Sequence, residues 1–383
     1  MDHAATTHAA PEVVESMLPY FSKKFGNPSS VYSIGLENKA AIGTAREKVA
    51  AAINAEPNEI YFTSGGSESD NWALKGVAFA NTKKGKHLIT TAIEHHAILN
   101  TAKWLQSQGF EVTYLPVDNY GMISPEDVKK AIRPDTILIS VMYANNEIGT
   151  IQPIAEIGEI AKTHNIYFHT DAVQAVGHIP IDVKAEHIDM LSLSGHKFYG
   201  PKGIGALYIR RGVKIQNLIH GGAQEGKHRA GTENVPSIVG IGEAIERAIH
   251  KMTRESARLT ILRDHMISEL LKIPASHLNG HPTKRLPNNV NIAFEYVEGE
   301  GILLRLNMFG ICASSGSACN SASLEPSHVL AAMGIPHEIA HGSVRMTLGE
   351  NNTEEEVSYV LEKLPEIIQK LRTMSPLTPE ELR

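Results

Sequence analysis

Cysteine is scarce in this chain of 383 residues, and positive charge is not in excess. The two cysteines, Cys312 and Cys319, are too few for a disulfide framework and fit a reducing compartment. With 36 Lys and Arg against 42 Asp and Glu, the formal net charge of −6 argues against nucleic acid or an anionic membrane surface as a partner. No run of about 18 apolar residues that could span a membrane occurs, and the N-terminus lacks the pattern of a signal peptide. We therefore expect a cytoplasmic protein.

What the chain does contain is the balance of a globular protein, with 42% hydrophobic and 20% charged residues. Between residues 59 and 210, short β-rich runs alternate with longer helical stretches, which is typical of a wound α/β sheet. The seven predicted strands are residues 59–63, 87–91, 111–116, 136–143, 166–170, 190–193 and 204–209. Functional groups in such sheets gather at the carboxyl ends of the strands, so we expect them just after these runs.

The pattern changes after residue 250. A charged helix is predicted over 252–272, strands over 288–294 and 343–348, and a final helix that begins at the capping box of Thr353 and Glu356. Pro365 is expected to interrupt or restart that final helix, because proline lacks an amide donor. This part of the chain therefore predicts a second, smaller α+β domain.

Residues 64–69, Ser-Gly-Gly-Ser-Glu-Ser, follow the first predicted strand and run into a helix. Paired glycines let backbone amides approach an anion, and a helix N-terminus attracts it, so the segment could cradle a phosphate. The alternative is a capped helix after a tight turn, which is the more common structure for such a segment. Because a Walker lysine and a dinucleotide fingerprint are both missing, a small phosphorylated cofactor is favoured over a nucleotide.

Two more candidate groups follow strands. Asp171 comes directly after the run at 166–170, although an acid in this position usually caps the next helix. Lys197 lies among Gly, Ser and aromatic residues, where an amine can lose its proton and become a nucleophile, although most lysines are simply solvated. An amine, a carboxylate and an anion cradle are what pyridoxal phosphate needs for its aldehyde, its ring nitrogen and its phosphate.

Further motifs occur along the chain in a fixed order. With the cradle they are Glu94-His95, residues 145–149, Asp171 with Gln174, and residues 194–197, 229–234 and 314–319. Together they resemble the cysteine desulfurases of the NifS/IscS type, closest to the NifS-like branch, over essentially the whole chain. The resemblance implies an α/β, fold-type-I, aspartate-aminotransferase-like enzyme. Its large domain, with a mainly parallel seven-stranded sheet, would span 14–250, and a small α+β domain with the cysteine loop would comprise 1–13 and 251–383.

The resemblance also implies pyridoxal 5'-phosphate as cofactor and the residues that bind it. Lys197 would hold the cofactor as a Schiff base and act as the base, Asp171 would pair with the ring nitrogen, and His95 would stack on the ring. Gln174 would hydrogen-bond the ring oxygen. The implied phosphate ligands are Gly66, Ser67, Ser194, His196 and, from a second subunit, Thr232. That last contact implies a homodimer.

For the substrate, the resemblance implies that Arg345 binds the carboxylate of L-cysteine, assisted by Asn146. Cys319, among small residues, would take the sulfur as a persulfide and leave L-alanine. The persulfide would pass to a sulfur-acceptor protein such as an iron-sulfur scaffold, for cluster assembly or thiolation. The alternatives are a selenocysteine lyase or an aminotransferase of the same fold, and a non-enzymatic scaffold.

Two other features are expected to carry no chemistry. His337 and His341 match the zinc pattern H-E-x-x-H, but Pro336 and Gly342 bracket a segment hardly longer than one helical turn, so we expect no metal site. Cys312 has the apolar neighbours expected of a small core residue.

Overall fold

The computed structural model describes residues 1–315 and 327–383. Its larger sheet contains seven strands, which are β1 (Ile60–Thr63), β2 (His87–Thr91), β3 (Glu111–Leu115), β4 (Thr136–Ser140), β5 (Tyr167–Asp171), β6 (Met190–Ser194) and β7 (Gly205–Ile209). Their order is β1-β7-β6-β5-β4-β2-β3, and β7 is antiparallel to both neighbours while the other pairs are parallel. The predicted seven-stranded, mainly parallel sheet is confirmed, although the fourth strand ends at Ser140 instead of residue 143.

Helices connect these strands and cover the sheet. They are α1 (Pro11–Met17), α2 (Pro19–Ser22), α3 (Ser33–Ala52), α4 (Gly66–Ala80), α5 (His96–Ser107), α6 (Pro125–Ala131), α7 (Ile154–Thr163) and α8 (Val235–Leu270). Successive side chains of a strand point to opposite faces. Accordingly, Ile139 and Leu191 enter one apolar cluster, and their neighbours Leu138 and Met190 enter another. Both faces of the sheet are therefore buried, as parallel sheets require.

A second sheet is antiparallel and has three strands, β8 (Ser276–Leu278), β9 (Asn289–Phe294) and β10 (Ser343–Thr347), in the order β10-β9-β8. The helices in this part of the chain are α9 (Gly299–Met308), α10 (His328–Ala332), α11 (His337–Ala340) and α12 (Glu354–Met374). Val290 and Val344 belong to its own apolar cluster. The sequence predicted β9, β10 and α12 but not the short β8 or α9.

The long helix α8 begins at Val235, so the start predicted at residue 252 is wrong. Ile241 and Ile245 pack in the core of the larger sheet, whereas Leu259 and Leu262 pack against the smaller sheet. One helix thus contributes to two cores. Its first part packs against the larger sheet and its last part against the smaller one, and in the sequence this change of pattern is easily taken for the start of a separate helix. The division of the chain near residue 250 stays a prediction.

Two local predictions are also wrong. Helix α12 continues through Pro365, because buried residues before and after it, including Leu364 and Ile368, hold both halves against the same core. Cys312 is exposed, whereas the preceding Ile311 is buried, so the apolar neighbours do not enclose the thiol. In the described ranges, none of the helices combines the length and apolar character needed to cross a bilayer.

Candidate active site

A cavity of about 320 Å³ lies at the carboxyl edge of the seven-stranded sheet. Its walls include the ends of β5 and β6, the segments that follow β1, β2 and β4, the N-terminal residues and β10. Of the predicted site residues that the structure describes, all but Thr232 line this cavity. Strand ends that are distant in sequence meet at one edge of the sheet, which explains how separate motifs come together.

One end of the cavity is suited to an anion. The N-terminus of α4 lies there, and Gly65 at its N-cap position offers the first-turn amides no side-chain acceptor. A Cβ atom on Gly66 would come within 2.7 Å of Val173 Cγ2, so glycine is needed where the two segments meet. Ser67 and Ser194 add hydroxyl groups. Amides, hydroxyls and a positive helix end together form a phosphate site.

Basic groups complete the anion end. Lys202 lines it beside His196, and the sequence analysis did not select this lysine. Burial, reinforced by Lys197 and Lys202, lowers the pKa of His196 to about 4. Its Nδ1 lies 3.0 Å from Thr6 Oγ1. A neutral imidazole can donate one hydrogen bond to an anion without adding charge.

A carboxyl group stands deeper in the cavity. Asp171 ends β5, is 6% exposed, and accepts a hydrogen bond from the Val173 amide at 3.0 Å. Burial raises the pKa of Asp171, and the neighbouring His95 and Lys197 oppose that shift. Gln174 follows on the same segment and donates from Nε2 to the Ala4 carbonyl at 3.0 Å.

Lys197 and His95 lie beside this carboxyl group. Lys197 ends a single 3₁₀ turn after β6, and its Nζ donates to the carbonyls of Ala4 at 2.6 Å and Ala5 at 2.9 Å. The N-terminal segment therefore holds the amine in place. His95 caps α5 through an Ala97 N–H to Nδ1 contact of 3.1 Å, and burial lowers the pKa of His95.

The opposite end of the cavity contains Arg345, which β10 contributes from the smaller sheet and which is 3% exposed. Its Nη1 donates to the Asn146 carbonyl at 3.1 Å, and its Nη2 pairs with Asp2 Oδ1 at 3.0 Å. Its buried Nε has no hydrogen-bond partner among the described residues. A buried guanidinium with a donor still to satisfy is a receptor for a carboxylate. The role of Asp2 was missed, because no local motif links it to Arg345.

Comparisons with known proteins agree on the family. The family model "Aminotransferase class-V" matches residues 1–360. The chain belongs to the class-V aminotransferase family. It is 68% identical over its full length to "Cysteine desulfurase IscS" of Methanosarcina thermophila, covering 95% of that protein. A solved "NIFS-LIKE PROTEIN" superposes with a TM-score of 0.91 at 41% identity, covering 97% of this chain and 99% of the other. "SspA in complex with cysteine" does so at 0.81 and 43%, covering 91% and 97%.

Class-V aminotransferases use pyridoxal phosphate, and this cavity fits that cofactor. The end of the cavity where Gly66 lies close to Val173 suits the phosphate of the cofactor, and Asp171 suits its ring nitrogen. Lys197 lines the same cavity and follows Ser194, the last residue of β6, by three positions. The family and the fold class predicted from the sequence are therefore confirmed.

Two predicted residues lie elsewhere. Cys319 falls within 316–326, outside the described residues. Thr232 is exposed and does not line this chain's own cavity. Ser314, at the edge of the described part, exchanges backbone hydrogen bonds with Arg345, and its hydroxyl donates to Asp2 Oδ2 at 2.7 Å.

Two buried acids of this site were not selected from the sequence. Asp70 lines the cavity from α4, and Glu94 stands next to His95. Burial raises the pKa of Glu94 to about 8, although Oε1 accepts hydrogen bonds from Thr91 Oγ1 at 2.8 Å and the Met142 amide at 2.9 Å. Glu94 belongs to a quoted motif and Asp70 directly follows residues 64–69, yet sequence pattern alone does not distinguish either from an exposed acid at the start of a helix.

The histidine pair at α11 does come together, with Nε2 atoms of His337 and His341 3.3 Å apart. In the described ranges, however, the only group of three or more metal-ligand side chains is Asp70, His95 and Asp171. Those three belong to the cavity that fits the cofactor. The absence of a resident metal stays a prediction.

Proposed function

We propose that this protein is a pyridoxal-phosphate-dependent cysteine desulfurase, which converts L-cysteine to L-alanine and takes the sulfur as a persulfide on Cys319. The observation that carries the proposal is the convergence of Lys197, Asp171 and Arg345 in one cavity. They supply an amine for the aldehyde, a carboxylate for the ring nitrogen and a receptor for the substrate carboxylate. The desulfurase name of the Methanosarcina thermophila relative and the cysteine bound to a structural neighbour favour L-cysteine as substrate.

The residues of the cavity act on different parts of the cofactor and the substrate. Pyridoxal phosphate, when bound, supplies an aldehyde that condenses with amines and a ring that accepts electrons from the substrate. Arg345 orients the amino acid through its carboxylate, with Asn146 beside it. Lys197 Nζ then removes and returns the proton at the substrate α-carbon. His95, whose pKa is lowered mainly by burial, is neutral and can accept a proton.

Sulfur transfer needs a second nucleophile. The Cys319 thiolate attacks the substrate sulfur, so that a sulfur–sulfur bond forms while the carbon–sulfur bond breaks. The electron pair of the broken bond stays with the substrate carbon, which takes up a proton and becomes the methyl group of alanine. The persulfide on Cys319 then holds the sulfur for an acceptor thiol.

Two variants test this assignment. Lys197→Ala should abolish the visible absorption of the protein incubated with pyridoxal phosphate, and alanine production with it. Lys184→Ala is a matched control, because Lys184 is a half-exposed lysine paired with Glu56 on the surface. Cys319→Ala should keep the absorption but lose alanine formation from L-cysteine. Full desulfuration by Cys319→Ala would contradict the persulfide step, and persistent turnover of selenocysteine alone would indicate a selenocysteine lyase.

We also propose a homodimer in which Thr232 serves the partner's phosphate site. An exposed apolar segment supports an interface, with Phe21 64%, Phe25 70% and Val31 89% exposed. Co-expression of Lys197→Ala and Thr232→Asp chains tests the proposal. If Thr232 acts across the interface, each mixed dimer contains one site without either change and regains about half of the activity per dimer. If it acts within its own chain, the mixed dimer has no intact site and stays inactive.

The sulfur acceptor that we propose is an iron-sulfur scaffold or a thiolating protein in the cytoplasm. The IscS name of the relatives supports this direction of sulfur transfer. Radiolabelled cysteine should transfer its sulfur through Cys319 to such a scaffold, and Cys319→Ala should transfer none. Release of the label only as free sulfide would count against a dedicated acceptor.

A further inference from the structure

Asp70 is a buried carboxyl group at the cofactor cavity for which the mechanism above gives no role. It is 1% exposed, and its carboxyl lies with His95 and Asp171 in a group whose ligand atoms are all within 4.8 Å of one another. Its Oδ1 has no hydrogen-bond partner among the described residues. Two carboxyl groups this close in a buried site cannot both be ionised without a large cost. One of them must hold a proton.

The surroundings of the two acids are unequal. Asp171 receives the Val173 N–H, and His95 and Lys197 both favour its ionised form. Asp70 receives a hydrogen bond from the Ser192 hydroxyl, whereas Asp171 adds negative charge beside it. The proton therefore belongs on Asp70.

The basic group beside Asp70 does not offset a charge there. His169 Nε2 is 3.8 Å from Asp70 Oδ1, which is too long for a hydrogen bond. Its Nδ1 lies 2.9 Å from Ser140 Oγ and its Nε2 3.0 Å from Ser192 Oγ, so both ring nitrogens already have hydroxyl partners. Burial lowers the pKa of His169 to about 3, which leaves the imidazole neutral.

A third acid, Glu94, also gives no stabilisation to a negative charge on Asp70. Glu94 also contributes to raising the pKa of Asp70, after burial and Asp171, once Glu94 is itself ionised above about pH 8. Below that pH it is uncharged and offers Asp70 no compensating charge. Buried charges are retained where a partner compensates them. In the part of the chain that the structure describes, the imidazoles beside Asp70 are His95 and His169, and the pKa of each is lowered by burial, so neither supplies a compensating positive charge.

We propose that Asp70 is a protonated carboxylic acid that confines the single negative charge of the Asp70–Asp171 pair to Asp171. Asp70 is thereby a positioning residue, since it acts on the ring nitrogen only through Asp171. The inference rests on the proposed cofactor site, because it assigns a role to a neighbour of the residue that binds the ring. It predicts that replacing the acid by a neutral amide of the same shape changes no charge at this end of the cavity.

Infrared difference spectra of cofactor-free protein at neutral pH test the protonation state directly. Asp70→Asn should lose one carbonyl band of a protonated carboxylic acid relative to the parent protein. Glu225→Gln is the matched control, because Glu225 is 8% exposed but paired with Arg46 through two contacts of 2.7 Å, and it should lose only carboxylate bands. Loss of carboxylate bands alone in Asp70→Asn would overturn the proposal. Since no cofactor is present, that failure would leave the proposed function untouched.

The visible absorption of bound pyridoxal phosphate gives a second readout. In Asp70→Asn the pH midpoint of the absorption change should shift by less than about 0.3 units, because a neutral group replaces a neutral group, whereas removal of a neighbouring charge would shift it by about one unit or more. A shift of that larger size would contradict the proposal.

A second variant does not alter Asp70 itself. Ser192→Ala removes the hydroxyl that favours the ionised form of Asp70, so its carboxylic acid band should persist to higher pH than in the parent protein. Loss of the band at the same or lower pH would show that Asp70 is not the acid detected, and would overturn the assignment even if Asp70→Asn failed to bind the cofactor.

Discussion

The two ends of the active-site cavity differ in where their residues come from and in how charge is balanced. At the ring-nitrogen end, Asp171 ends β5 and His95 follows β2, so the ends of two strands of one sheet supply the groups. At the substrate end, Asp2 and Arg345 are 343 positions apart and meet only in the folded chain. The first end has acids in excess of cations, whereas the second neutralises its cation with an acid. Chemistry at the first end therefore depends on proton location, and binding at the second depends on charge pairing.

Of the variants that test this difference between the two ends, the largest effect on activity is expected from a change at the ring-nitrogen end. Asp171→Asn removes the charge that favours a protonated ring nitrogen, so kcat should fall by about 10²- to 10³-fold, with a smaller change in KM. Steady-state alanine production measures both constants. Asp182→Asn is the control, since Asp182 also accepts backbone amides, from Lys184 and Ala185, but lies outside the cavity. A change confined to KM would contradict the difference drawn between the two ends.

The next effect concerns the substrate end. Arg345→Ala removes the charge-assisted hydrogen bond that its unsatisfied Nε can donate to the substrate carboxylate, so kcat/KM for L-cysteine should fall by roughly 10- to 100-fold, mostly through KM. The control Arg372→Lys alters another buried arginine, 2% exposed, whose guanidinium bonds the carbonyls of Glu295 and Ala275 instead of the cavity. Equal losses of affinity in both variants would indicate a folding defect and not substrate binding.

A pH-dependent effect follows from the acids at the ring-nitrogen end. Burial raises the pKa of Glu94 from 4.5 to about 8, so the folded protein keeps this proton to higher pH than the unfolded chain. Stability is therefore fully present below about pH 4.5 and is lost as pH rises toward 8, by an amount on the order of 3 to 5 kcal/mol.

Denaturant unfolding of cofactor-free protein at several pH values measures this contribution. Glu94→Gln should reduce the decline between pH 5 and 8, because glutamine does not titrate. Glu225→Gln, which removes a carboxylate paired with Arg46, should leave the slope in place while lowering stability overall. An unchanged slope in Glu94→Gln would mean that Glu94 is ionised in the folded protein.

The smallest effect is expected from Asp2, whose side chain is 25% exposed. Asp2→Asn removes the charge that pairs with Arg345 and should lower KM for L-cysteine by about 2- to 5-fold, since partly exposed ion pairs contribute only about 0.2 to 1 kcal/mol. Glu12→Gln, also near the N-terminus but 61% exposed, is the control. An increase in KM would show that Asp2 orients the guanidinium more than it neutralises it.

Local sequence pattern was sufficient to predict most strands of the larger sheet and the candidate site residues near the ends of those strands. The seven strands alternate with helices, Asp171 is the last residue of a strand, and Gly66 and Lys197 each lie three residues after one. The same reasoning failed where an element serves two cores, as in α8, and where packing overrides a local signal, as at Pro365. The hydrophobic periodicity of the sequence shows neither that a helix packs in two cores nor that a helix continues through a proline, because tertiary contacts determine both.

By itself, the sequence determined the fold class and the candidates for the amine, the acid and the anion cradle, because each depends on short-range spacing and on the alternation of strands and helices. Only the tertiary structure decided that Asp70 lies close to Asp171 and that Asp2 pairs with Arg345. Protonation and ion pairing depend on distance and burial, and these exist only after the chain has folded.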